Sequence, residues 1–190
     1  YINGGSGNDT IRAYAASNKI YGGDNNDNIK AWGGKNNIYA GNHNDYVEAY
    51  GGANHVEGDG GNDTLKAWGA SNKVYGEDGH DTIHAMAASN KVYGGNNNDT
   101  IKAYGGKNYV DAGNHDDKVE AWGASNTLKG GSGKDYIKAF AASNTIYGGN
   151  DNDTIRAVGG SNKAYGEHGH DNIQVWGAKN TVYGGDHNDY

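Results

Sequence analysis

The sequence predicts an all-β fold, a parallel β-solenoid of about ten 18-residue coils that forms one repetitive domain over residues 1–190. Three regularities carry that expectation. Asp recurs every 18 residues without exception, an Asn stands nine residues after each of the first ten, and the residues following both alternate apolar and polar with the period of a strand.

The Asp row is Asp9, Asp27, Asp45, Asp63, Asp81, Asp99, Asp117, Asp135, Asp153, Asp171 and Asp189; the Asn row runs from Asn18 to Asn180. Two residues after each Asp that heads a full coil comes an aliphatic, as in Ile11, Ile29 and Val47. Two after each Asn comes another, as in Ile20, Ile38 and Val56, with Ala164 the smallest of that row. Each coil is therefore two quasi-equivalent nonapeptides. Within a half, Ile11 and Ala13 should face inward while Thr10 and Arg12 face outward. The expectation is short strands of three or four residues separated by turns at residues 3–8 and 15–17. Coils stacked at ~4.8 Å would make a rod roughly 50 Å long. Its core would be thin: two aliphatic columns and the small column begun by Ala13, Ala31 and Ala49. An echo at 72 residues, NDNIKAWGGKNN at 26–37 against NDTIKAYGGKNY at 98–109, points to duplication of four-coil blocks. Neither end carries a recognisable cap, and solenoids normally need caps to stay soluble and monomeric, so membership of a longer array or filament is expected.

The composition agrees. With 34% hydrophobic residues, 34 Gly, no Pro and no Cys, the chain could not fill an ordinary globular core. Disorder is the first alternative, but 11% aromatic residues and strict placement of the aliphatics argue for order. No apolar run is long enough to span a membrane. The net charge of −7 disfavours nucleic acid as a partner.

Stacking places eleven carboxylates in one column. Like charges ~4.8 Å apart repel by about 1 kcal/mol in water and several times more at a lower effective dielectric. Such a column needs cations or a network of hydrogen-bond donors. The Asn row has no such difficulty, because stacked amides bond to one another. Without the eleven ladder residues the chain would carry 16 − 12 = +4, so its acidity resides in that column.

The segment Gly4-Gly5-Ser6-Gly7-Asn8-Asp9-Thr10-Ile11-Arg12 resembles the repeats-in-toxin (RTX) nonapeptide G-G-x-G-x-D-x-U-x, with near matches at 131–137 and 60–65. The resemblance runs the length of the chain. It implies a parallel β-roll with Ca²⁺ held between successive coils, about one ion per coil, the Asp row from Asp9 to Asp189 supplying carboxylate ligands beside turn carbonyls. It also implies an extracellular or cell-surface location. Only one half of each coil carries Asp, so calcium would line one edge; the metal-free alternative is an Asx-type turn bonded to neighbouring amides. Departures fall in the turns: Asp59, Glu77 and Glu167 replace the second Gly, and Asn25, His43, Asn97, His115, Asp151 and His187 replace the later one. Those later replacements are residue types that tolerate positive φ.

A bulky column stands five residues after each Asp: Tyr14, Trp32, Tyr50, Trp68, Met86, Tyr104, Trp122, Phe140, Val158 and Trp176. It should project outward or lie at a corner, and its aromatic members form the candidate interaction surface. A second column is mostly Tyr, from Tyr21 to Tyr183. Ring-on-ring stacking between coils is the plainer reading of both. The eight His read as turn residues that the backbone tolerates. No nucleophile or Ser/His/Asp constellation breaks the repeat, so an enzyme is not expected. The leading expectation is a calcium-rigidified extracellular structural, fibre or adhesin module that self-associates. The alternatives are a module binding cell-surface polysaccharide on the Trp/Tyr column, and an ice-binding solenoid. The last suffers from the irregular row Thr10, Asn28, Tyr46, Thr64, Thr82, Thr100, Lys118.

Overall fold

The computed structural model describes residues 1–190 as an all-β, parallel solenoid with no helix. Thirteen strands form a single parallel sheet that winds on itself, each coil paired in register with the next at an offset of 18 residues, as in Ile137↔Ile155 and Asn144↔Asn162. Backbone hydrogen bonds number 137, of which 121 lie within this ladder. They run along the rod axis, so each coil is held only by its neighbours.

The strands are longer than the alternation suggested. From β4 (Asn28–Asn42) to β11 (Thr154–His168), each inner coil is one 15-residue strand followed by three residues, the last being the ladder Asp. The sequence reading placed turns at both corners. The structure keeps the strand ladder through the Asn corner and breaks it only at the Asp corner. In the first and last coils the Asn corner does interrupt the ladder, between β2 (Thr10–Tyr14) and β3 (Ser17–Asp24) and between β12 (Asn172–Trp176) and β13 (Lys179–Asp186).

The Asn side chains explain this continuity. Asn90 Nδ2 donates to Asn108 Oδ1 at 2.8 Å and to the Tyr104 carbonyl at 3.0 Å, and its neighbours repeat the pattern. The amide column thereby ties each corner to the next coil, as the sequence anticipated. Gly105 sits at this corner with φ +158, and a Cβ there would run into the Ala87 carbonyl of the coil below.

Inside, the expected columns form one cluster of 29 buried residues. Ile29, Ile83 and Ile137 of one row and Ile20, Ile38 and Ile146 of the other are fully buried, with the Ala column from Ala31 to Ala157 between them. Because each coil contributes only two aliphatics and one or two Ala, no redundancy buffers a deletion. Ile137→Ala should cost about 2–5 kcal/mol, since a cavity bounded above and below by paired backbone cannot collapse. Chemical denaturation of the variant against the parent would measure it.

Candidate functional site: the aspartate ladder

The three residues preceding each strand carry the turn that buries the ladder Asp. From Asp27 to Asp171 these side chains are 0–3% exposed. Each backbone N–H from Asp9 to Asp171 donates to Oδ1 of the Asp one coil further on, at 2.6–3.0 Å. The Asp carbonyls accept in turn from the strand that starts the next coil, as in Tyr136 N–H to Asp117 O at 2.8 Å. One carboxylate oxygen per coil is thus fully used by the protein.

The other is not. Oδ2 of all ten residues from Asp9 to Asp171 is buried without a hydrogen-bond partner. In nine of the eleven coils the residue five before the Asp is Gly, and a Cβ there would collide with this oxygen; Ala40 and Ala112 occupy the position in the other two. Burial is the main cause that pushes these carboxyls upward, only partly offset by the N–H bonds. Asp45 and Asp81 rise to about 6, Asp99 and Asp135 to about 7, and Asp63, Asp117 and Asp153 to about 8. Neighbouring ladder residues add repulsion, Asp81 and Asp45 both acting on Asp63.

A buried polar atom left unpaired costs about 1–3 kcal/mol, and more when charged. Ten such atoms in one column are incompatible with a column of bare anions. Each requires a proton or a cation. Nowhere do three or more His, Cys, Asp or Glu side chains converge as a metal cluster, so any cation here would take one or two carboxylate oxygens and complete its shell from backbone carbonyls and water. That oxygen-only donor set suits a hard cation such as Ca²⁺, and the orphaned Oδ2 row gives it a ligand in every coil.

The turns themselves follow a rule that links two columns of the sequence. Each turn has two positive-φ positions, four and two residues before the ladder Asp. In no coil are both non-Gly. Where the first is Asp59, Glu77 or Glu167 (φ 72 to 77), the second is Gly61, Gly79 or Gly169 (φ 124 to 135). Where the second is Asn25, His43, Asn97, His115, Asp151 or His187 (φ 73 to 82), the first is Gly with φ 113 to 124. In these nine turns one position sits in the left-handed helical well, which Asn, Asp, His and here Glu enter, and the other lies in a region open to Gly alone; the turns before Asp9 and Asp135 carry Gly at both. The positive φ expected at the six later positions is present. The three acidic residues adopt it as well, and their side chains stand on the solvent side of the turns.

The bulky column lies on the strand face beside the Asn corner and stacks as anticipated. Tyr14, Trp32, Tyr50 and Trp68 form one continuous pile with centroids 4.6–5.5 Å apart and planes within 6° of parallel. Trp122 and Phe140 form a second at 4.2 Å. Met86 and Val158 interrupt the rings, and Tyr104 and Trp176 share the column outside these piles. Ring faces inside a pile are consumed by other rings, so mostly edges reach solvent.

Matches to the family model of the RTX calcium-binding nonapeptide repeat follow one another along the chain, over residues 1–29, 25–56, 33–65, 48–83, 69–101, 84–119, 93–128, 123–155 and 147–177. No curated protein and no solved structure matches it. Together those matches cover most of the chain, whose ladder from Asp27 to Asp171 is buried, and the chain belongs to the RTX calcium-binding nonapeptide repeat family.

Proposed function

We propose that the chain is an extracellular structural module, a rod stiffened by Ca²⁺ held along the Asp9–Asp189 edge at about one ion per coil. The observation that carries this is the row of ten buried, partnerless Oδ2 atoms. Bound Ca²⁺ supplies the positive charge and the oxygen-seeking coordination that this row lacks. The chain's own part is to present Oδ2 beneath each turn, to fix Oδ1 with a backbone N–H, and to hold the turn carbonyls at two positive-φ positions. Extracellular modules bind calcium at about 10⁻⁴–10⁻³ M, and weak sites of this kind suffice where calcium is plentiful.

The aromatic column serves the same role from the opposite corner, stiffening the rod by stacking and offering exposed members such as Trp122, 46% exposed, for lateral contact between copies in a fibre or adhesin. The stacking argues against the column as a glycan platform, since sugars bind to ring faces and the faces inside each pile are taken.

Calorimetric titration of Ca²⁺ into chelator-stripped protein, with circular dichroism in parallel, tests the reading. Uptake of about one ion per coil with a gain in β-structure or melting temperature is expected. Absence of uptake by a chain already folded would leave a metal-free Asx ladder and overturn it.

A further inference from the structure

The Tyr column on the other strand face is broken three times, and the breaks are not alike. Its members three residues after each ladder Asn are Tyr21, Tyr39, Glu57, Tyr75, Tyr93, Asp111, Lys129, Tyr147, Tyr165 and Tyr183. At Glu57 the neighbouring row supplies a ring: His55 leans into the gap and lies 5.8 Å from Tyr39 and 5.7 Å from Tyr75, capping both. At Asp111 the same row supplies Tyr109, 6.0 Å from Tyr93. At Lys129 that row holds Thr127, which has no ring to lend.

Lys129 does not cover the exposed ring either. Its ammonium leans away, 3.9 Å from Asp111 Oδ2 and 5.9 Å from the centre of the Tyr109 ring. Tyr147 is stacked on one side only, by Tyr165 at 5.0 Å. The face turned toward Lys129 is therefore a ring face of the column that no other ring or cation covers. A groove of about 720 Å³ opens against it, the size of a small-ligand site. Gly131 and Gly149 leave its floor without side chains, and Asp111, Lys129, Asn150, Glu167 and His168 stand around it. Lys129 is already paired with Asp111, and His168 Nδ1 lies 2.9 Å from Asp186 Oδ2. The charges are largely satisfied within the protein, while carboxylate, amide and imidazole atoms remain to meet hydroxyl groups.

We propose that this groove is a binding site for a neutral pyranose ring of an oligosaccharide, stacked by its C–H face on Tyr147 and hydrogen-bonded at its rim by Asp111, Asn150 and Glu167. One uncovered aromatic face over a side-chain-free floor, ringed by polar groups of both senses, matches a ligand that is apolar on its face and polar at its edge. The site adjoins the turns of the calcium edge through Gly131, Gly149 and Glu167 and is separate from the Trp piles.

Saturation-transfer NMR on the calcium-loaded chain, against neutral di- to tetrasaccharides of glucose, galactose, mannose and N-acetylglucosamine, tests it, with tetramethylammonium as a cationic control. At least one saccharide should give a signal. Tyr147→Ala should weaken its affinity roughly tenfold or more, the factor that about 1.4 kcal/mol represents. Thr127→Tyr leaves Tyr147 in place and puts a ring over the free face as His55 covers that of Tyr75 in the following coil, so it should weaken binding similarly with the circular dichroism spectrum unchanged. Tyr93→Ala, which removes a ring capped on both sides, should leave the signal intact. No saccharide signal, a signal that survives Thr127→Tyr, or a response to tetramethylammonium alone would overturn the assignment.

Discussion

Freed of divalent cations, the chain is expected to be more stable at pH 5 than at pH 8, the reverse of ordinary acid denaturation. The ladder carboxyls have an ordinary value of 3.8 and rise to about 6 to 8 in the folded chain. Between those limits the native state binds more protons than the unfolded one, so stability falls as pH rises. Their contribution is complete below about pH 4 and disappears as pH climbs through 6 to 8. His84, whose value is lowered by burial and by Lys102 and Lys66, acts in the opposite sense, as one group against seven. Calcium should reverse the trend. It occupies the oxygens that protons would otherwise take, so its apparent affinity should climb from pH 6 to pH 8 and its uptake should release protons. Thermal melts at pH 5 and pH 8, each on metal-free and calcium-loaded protein, would check all of this. A metal-free chain that melts higher at pH 8 would contradict the account of the ladder.

Exchanging amide for carboxylate on the Asn edge and carboxylate for amide on the Asp edge should move stability in opposite directions. Asn108 is buried; its Nδ2 donates to the Trp122 carbonyl at 3.0 Å and to Asn126 Oδ1 at 2.9 Å, and its Oδ1 accepts from Asn90 at 2.8 Å. Asn108→Asp removes both donors and sets a carboxylate oxygen against two acceptors. A loss of about 3–5 kcal/mol is expected, the range seen when a buried charge is left uncompensated. Asp99→Asn retains an oxygen for the Asp81 N–H, now 2.8 Å from Oδ1, and replaces the orphaned Oδ2 with an amide beside the Ala112 carbonyl. At pH 7.5 the metal-free Asp99→Asn protein should melt above the parent, while its calcium stoichiometry drops. Denaturant titrations of both variants, with and without calcium, would separate the edges. Equal destabilisation of both metal-free variants would show that the two rows do not differ in kind.

Period, rows and core were legible in the sequence because in-register stacking writes every structural position as a column of like residues. The Ile29 and Ile38 columns could be read directly, as could the Asn ladder and the stacking of Tyr14 on Trp32. The sequence was less informative where one residue's role depends on its neighbour around the coil. The strand running through Gly33 and Gly34 looked like a turn, because Gly there signals a corner and says nothing of whether backbone pairing survives it. The exchange between Glu77 with Gly79 and Gly95 with Asn97 is a correlation between two columns, hidden when each is read alone. The capping of Tyr39 and Tyr75 by His55 depends on a side chain leaning across rows, which alternation along a strand does not encode. For the candidate site, the Asp column was legible, whereas the division of labour between its two oxygens required the third dimension.

Because every backbone bond between coils lies along the rod axis, a pull on the two ends loads the coils in series. The end coil, which has one neighbour where inner coils have two, gives way first, and its loss makes the next coil the new end. A freed coil of 18 residues at roughly 3.3–3.6 Å each adds about 60 Å of slack where it had occupied ~4.8 Å of rod. Under tension such a rod would lengthen in near-identical increments, a shock absorber whose number of strokes equals its number of coils.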